Sequence, residues 1–169
     1  MEQSIVETSN QQERLVDLAW LAGIWEGEGC FSIFQGSRKH WYAACSVPNT
    51  DYALIEAIHL ALSRLNVGHY IQERKAKNPK WKSLKVIHIV GFKRVRTFVE
   101  LILPFMRGRK QEIVKIILRF LERRQSSFAQ HRAHASYTDA DFNDMAEVRA
   151  LNKKGPQESS ETIRQAAQA

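Results

Sequence analysis

From Leu15 to Trp25 the chain is apolar almost all the way round a helical repeat, with Asp17 the one exception. A helix at a protein surface carries a single apolar stripe, whereas one apolar all round is buried on more than one side. Ala19, Gly23 and Gly27 recur every fourth position and so share a face, where they let another backbone approach closely. Glycine costs about 1 kcal/mol in a helix interior, so Gly23 asks for a packing reason. Glu26 and Glu28 then close the segment, at the helix end where the dipole disfavours negative charge. Carboxylates there need a compensating cation, and a divalent metal ion is one such cation. On composition alone the segment is equally a core helix ending in two solvated acids.

The rest of the chain narrows the setting. At 169 residues there is material for one sizeable core. The net charge of +7 suits a polyanionic partner, nucleic acid or an acidic membrane surface. No apolar run approaches the roughly 18 residues that span a bilayer, which argues against a membrane protein. Residues 1–14 are polar and lack the apolar core of a signal peptide, so the chain reads as intracellular, in cytoplasm or organelle matrix. Two cysteines, Cys30 and Cys45, make neither a disulfide framework nor a metal pattern, and both are expected to be small buried strand residues.

The pattern of apolar residues predicts the order of elements. A flexible arm over 1–12 precedes a single domain over 13–169 whose first helix covers 13–26. Strands follow over 30–35 and 41–47, joined by a turn at 36–40. Thr50 or Asp51 caps a helix whose apolar Leu54, Ile55, Ile58, Leu62 and Leu65 are helically spaced. Strands over 68–74 and 84–90 form a second pair. Helices are expected over 92–103, stopped by Pro104, over 111–122, from Asp139 or Asp141 to Leu151, and over 160–168 after a loop. Lone strand pairs are marginal in water, so the two should merge into one antiparallel sheet with helices over one face.

Leu21-Ala22-Gly23-Ile24-Trp25-Glu26-Gly27-Glu28-Gly29 resembles the nine-residue motif of the LAGLIDADG homing endonucleases. Leu21, Ala22, Gly23 and Gly29 match it, and both acidic positions hold glutamate where aspartate is usual. The resemblance implies an α+β fold with an αββαββα core, a saddle-shaped antiparallel sheet and extra C-terminal helices. It implies an intron-encoded enzyme that makes site-specific double-strand breaks with cohesive 3′ ends in a long pseudo-palindromic DNA target. Only one copy of the motif is found, which implies a homodimer. An RNA maturase that helps its intron splice, with intron RNA as partner, and a cleavage-inactive DNA-binding regulator are the alternatives on the same fold.

The resemblance also assigns residues. Glu28 aligns with the acid that binds metal, with Gly27 beside it, and Mg2+ (or Mn2+ or Ca2+ in its place) would activate a water for in-line attack on a phosphodiester. Asn49, after the second strand, corresponds to a polar residue near that water. Lys110, after Pro104-Phe105, corresponds to a basic residue beside the site. Ala19, Ala22, Gly23, Glu26 and Gly27 are expected at the dimer seam. Double-stranded DNA would be gripped by Arg38, Lys39 and His40 at the first hairpin tip. Arg74, Lys75, Lys77, Lys80, Lys82 and Lys85 would grip it in the second hairpin, and Lys153 and Lys154 near the end.

Overall fold

The computed structural model describes residues 2–36, 40–78, 80–131 and 136–153, with side chains left undescribed at 2–9 and 128–131. A long helix α1 (Glu2–Gly27) leads into the hairpin β1 (Cys30–Gln35) and β2 (Trp41–Asn49). Helix α2 (Tyr52–Arg64) follows, then a second hairpin, β3 (Tyr70–Arg74) and β4 (Leu84–Val90). Helix α3 (Phe92–Ile102) runs into a 3₁₀ turn at Leu103–Phe105, and α4 (Lys110–His131) and α5 (Asp139–Asn152) complete the described chain. The expected αββαββα order is thus present in α1 to α3, with α4 and α5 as additions.

The two hairpins do merge. The sheet has the order β1-β2-β4-β3, antiparallel throughout. Central pairings are Phe31 with Cys45, Val47 with Ile87, and Ile71 with Ile87. Because side chains alternate along a strand, these residues share one face. Phe31, Ile33, Ala43, Cys45, Val47, Ile87 and Ile89 are buried there with Ile58, Leu62, Phe98 and Ile102 of α2 and α3. Among the described residues, no core helix lies over the other sheet face.

Local chemistry explains most boundaries. Asp51 caps α2, its carboxylate accepting from Ala53 N at 2.9 Å and Leu54 N at 3.3 Å. Thr138, rather than Asp139 or Asp141, caps α5. Its hydroxyl accepts from Asp141 N while the Asp141 carboxylate accepts from Thr138 N, the reciprocal capping box. Residues 2–12 are helical and continuous with the rest of α1. No glycine occurs before Gly23 and no proline before Pro48, and the Glu and Gln residues there are good helix formers. Helix α4 likewise runs well past 122. Its Arg119, Arg123 and Arg124 pair with Asp141, Asp144 and Glu147 of α5, and Asp141 and Asp144 are buried. Cys45 is buried as expected, but Cys30 is exposed, because its register puts it on the open sheet face. The expected loop and helix beyond 153 lie outside the described residues.

Candidate metal site and nucleic-acid interface

Helix α1 ends in a tightly built corner. Trp25 is fully buried against Phe98, ring centroids 4.6 Å apart. The chain doubles back over Trp25 so closely that a Cβ on Gly29 would lie 2.5 Å from its Cδ1. Only glycine fits there, which accounts for the last motif residue. Glu28 N and Gly29 N both return to Ile24 O.

The two motif acids are treated differently. One carboxylate oxygen of Glu26, Oε1, accepts from the backbone N–H groups of both Arg107 and Gly108, the first at 2.7 Å. The negative charge expected to be uncomfortable at a helix end is thereby tied to the loop before α4. Glu28 is exposed, and its carboxylate has no hydrogen-bond or ion-pair partner among the described residues. A cation does stand at this helix end, but on backbone oxygens rather than on either acid. Lys110 donates from Nζ to the carbonyls of Gly29 at 2.6 Å, Trp25 at 3.1 Å and Gly27 at 3.4 Å. A lysine at the C-terminal carbonyls of a helix neutralises the negative end of its dipole. Lys110 therefore stands beside the motif with its ammonium on backbone oxygens. Asn49 likewise uses its side-chain oxygen locally, accepting from Asp51 N at 2.8 Å in the turn that starts α2.

Ala19, Gly23 and Gly27 are exposed in this chain, together with Val16 and Trp20 on the same side of the helix. A Cβ added at Gly23 or Gly27 would meet nothing within 4 Å. Nothing inside the chain requires glycine at either position. Two expected seam residues are not on this face. Ala22 is fully buried in the chain's own core, and Glu26 is occupied by the 107–108 backbone. Among the described residues no three His, Cys, Asp or Glu side chains gather into a metal site.

The open face of the sheet is read off the register. It carries Ser32 and Phe34 of β1, Tyr42 and Ser46 of β2, His88 of β4, and Tyr70, Gln72 and Arg74 of β3. Ala44 and Val86 are buried beneath these longer side chains. The Tyr70 and His88 rings stack at 5.0 Å. Gln72 Oε1 lies 3.3 Å from both His88 Nε2 and Arg74 Nε. Partial burial, with the Arg74 guanidinium nearby, holds the His88 imidazole below its ordinary pKa. Lys75, Lys77, Lys80 and Lys82 are exposed on the connection between β3 and β4, with Trp81 the most exposed aromatic ring among them. Lys85 is not with them. It pairs with Asn49 and Glu73 on the helix-covered side, its ammonium 4.4 Å above the Tyr52 ring. His40 is exposed at the base of the first turn and Lys153 is exposed after α5. Arg38, Lys39 and Lys154 lie outside the described residues. Tyr70, Gln72 and His88 were not picked out by charge, since only the strand register distinguishes the open face from the covered one.

Residues 15–103, more than half of the chain, match the family described as the LAGLIDADG-like domain. The chain belongs to the LAGLIDADG family. No curated protein sequence matches it. Among solved structures it resembles the homing endonuclease I-CvuI in complex with its target in the presence of calcium. The TM-score is 0.65 at 17% identity, over 92% of this chain and 95% of that one. The group I intron-encoded homing endonuclease I-CeuI, complexed with DNA, matches with a TM-score of 0.59 at 15% identity, over 98% of this chain and 90% of that one. The LAGLIDADG meganuclease I-AabMI, bound to uncleaved DNA, gives 0.60 at 17% identity over 87% of this chain but only 48% of its own. At these identities the likeness establishes the fold: four antiparallel strands with helices on one face. No helix among the described residues is long and apolar enough to cross a membrane.

Proposed function

We propose that this chain is an intron-encoded, site-specific DNA endonuclease that works as a homodimer with a divalent metal ion. The carrying observation is the end of α1, where a Glu28 carboxylate with no partner among the described residues adjoins an exposed helix face whose two glycines have no described neighbour within reach of a Cβ. Both features are incomplete in one chain and complete in two. Pairing α1 with its copy across Ala19, Gly23 and Gly27 would bring two Glu28 carboxylates to one seam.

The donor chemistry fits a hard cation. The Glu28 carboxylate and the Gly27 carbonyl are oxygen ligands of the kind magnesium and calcium take. One chain offers too few for a full shell, so a second copy and the DNA phosphates must supply the others. When bound, such an ion polarises the scissile phosphate and lowers the pKa of an attacking water. Lys110 then serves as a positioning residue, fixing the carbonyls on either side of Glu28. Asn49 has its amide nitrogen left to orient water or phosphate. Double-stranded DNA would lie along the open sheet face, with Lys75, Lys77, Lys80, Lys82 and Arg74 neutralising phosphates and the strand side chains facing base edges. Arg38, Lys39 and His40 would extend that grip at the first hairpin, and Lys153 and Lys154 at the far end. Breaks made symmetrically about the seam would leave cohesive ends in a pseudo-palindromic site.

A second reading has its own support. Lys110 and Asn49 both spend side-chain hydrogen bonds on the chain's own backbone, which suits a protein that binds without cutting, a maturase or a regulator. One experiment separates the two. The intact intron-insertion sequence is offered as duplex DNA with magnesium to wild type and to Glu28→Gln. The nuclease reading expects wild type to cut, and Glu28→Gln to bind equally well and not cut. Undiminished nicking by Glu28→Gln removes Glu28 from the chemistry. Tight binding of intron RNA with no cleavage of DNA replaces the nuclease with a maturase.

A further inference from the structure

Gln72 stands at the centre of a hydrogen-bonded group on the open sheet face. Its position opposite Val86 puts it over an apolar bed, between Tyr70 and Arg74 on its own strand. Two groups approach its Oε1 at 3.3 Å, Arg74 Nε and His88 Nε2. A guanidinium nitrogen is only ever a donor, so the Gln72 atom facing it must be the amide oxygen. His88 must then donate from Nε2 as well. Its imidazole is fixed in turn by the stack on Tyr70. Both lone pairs of the Gln72 oxygen are taken, and among the described residues its Nε2 hydrogens have no acceptor. The residue has become a one-way reader, offering donors and no acceptor.

That changes what a glutamine would ordinarily recognise. In the major groove glutamine pairs with adenine by accepting from N6 while donating to N7. Gln72 cannot do the first without giving up Arg74 or His88. Guanine presents acceptors at both N7 and O6, and cytosine presents an amino donor that the Gln72 amide would meet donor to donor. We propose that Gln72, held by Arg74 and His88, is a specificity-determining residue that selects guanine and rejects adenine and cytosine at one base pair of each half-site. The proposal rests on the reading of the open face as the DNA interface. His88 and Arg74 act here as positioning residues, through Gln72.

The test is binding of the purified full chain to a randomised duplex pool, sequenced before and after selection, in calcium so that no strand is cut. Wild type should enrich guanine about tenfold over adenine at one position and at its mirror in the other half-site. Gln72→Glu should turn that same pair of positions toward cytosine, whose amino group a carboxylate accepts from. His88→Phe keeps a ring against Tyr70 but removes the donor, so it should admit adenine there while selection elsewhere in the site persists. Gln72 is exposed and His88 half-buried, and a thermal melt matching wild type will show that each variant is folded. A wild-type preference for adenine, or a Gln72→Glu profile identical to wild type at every position, overturns the proposal and leaves DNA binding standing. A wild type that selects no sequence from the pool overturns the DNA reading itself, and this proposal with it.

Discussion

The two sides of α1 are built to different rules. Leu18, Leu21, Ala22 and Trp25 face the chain's own core and are buried to the last few per cent. On the opposite side Val16 is 63% exposed and Trp20 36% exposed, with Ala19, Gly23 and Gly27 bare between them. The sequence between Leu15 and Trp25 is nearly as apolar on one side as on the other, yet a single chain covers only one. An isolated exposed leucine is unremarkable, but a contiguous apolar side with small residues at four-residue spacing belongs to an interface. On the proposed reading the helix is half folding element and half recognition element, and its side chains should respond to substitution accordingly.

The sharpest division is between the two tryptophans. Trp25→Ala removes a fully buried ring that touches Phe98 and underlies Gly29, and deletions of this kind cost about 3–5 kcal/mol. Trp20→Ala should cost the isolated chain little, since surface changes stay within about 0.5 kcal/mol. Urea unfolding at low protein concentration measures the first, and sedimentation at high concentration measures the second as weakened self-association. Equal losses of folding stability in both variants at low concentration would erase the distinction between the two sides.

Most of the fold could be read from local pattern because local pattern determines it. Helical spacing from Leu54 to Leu65, the Asp51 cap and the two strand pairs depend on neighbours within a few residues. What could not be read depends on partners far along the chain. Glu26 and Glu28 look alike in sequence, and only the 107–108 backbone, more than eighty residues away, makes one of them structural. Lys110 earns its position from carbonyls equally distant. Lys85 needs the register for a different reason. Leu84, Val86, Ile87 and Ile89 are apolar on both strand faces, so alternation alone gives no parity. Pairing with Asn49 settles the helix-covered side. Tyr70, Gln72 and His88 lie on the open face by register alone, and a search guided by charge finds lysines first.

The two acids sharpen the comparison at intermediate size. Glu26→Gln weakens two charge-assisted hydrogen bonds to backbone N–H groups and should cost about 1–2 kcal/mol of folding stability. Glu28→Gln removes a charge with no described partner and should leave the melting temperature unchanged while removing metal-dependent cleavage. Thermal melts of the two variants, run beside a binding and cleavage assay, check both halves. A Glu28→Gln variant that unfolds more readily than Glu26→Gln would mean that Glu28 is the structural acid and the roles are exchanged.

The smallest effect is also the most discriminating, because its sign depends on association. Gly23 has no neighbour within reach of a Cβ in its own chain. Gly23→Ala in a monomer should therefore gain the ordinary helix advantage of alanine over glycine, roughly 0.5–1 kcal/mol. In a dimer packed across this face the same methyl group must be accommodated between two backbones, and each dimer carries it twice. Unfolding of Gly23→Ala should then show added stability at high dilution and lost stability at concentrations where wild type is paired. A variant stabilised equally at every concentration would mean that the small-residue face is not the seam, and that the exposed side of α1 meets something other than its own copy.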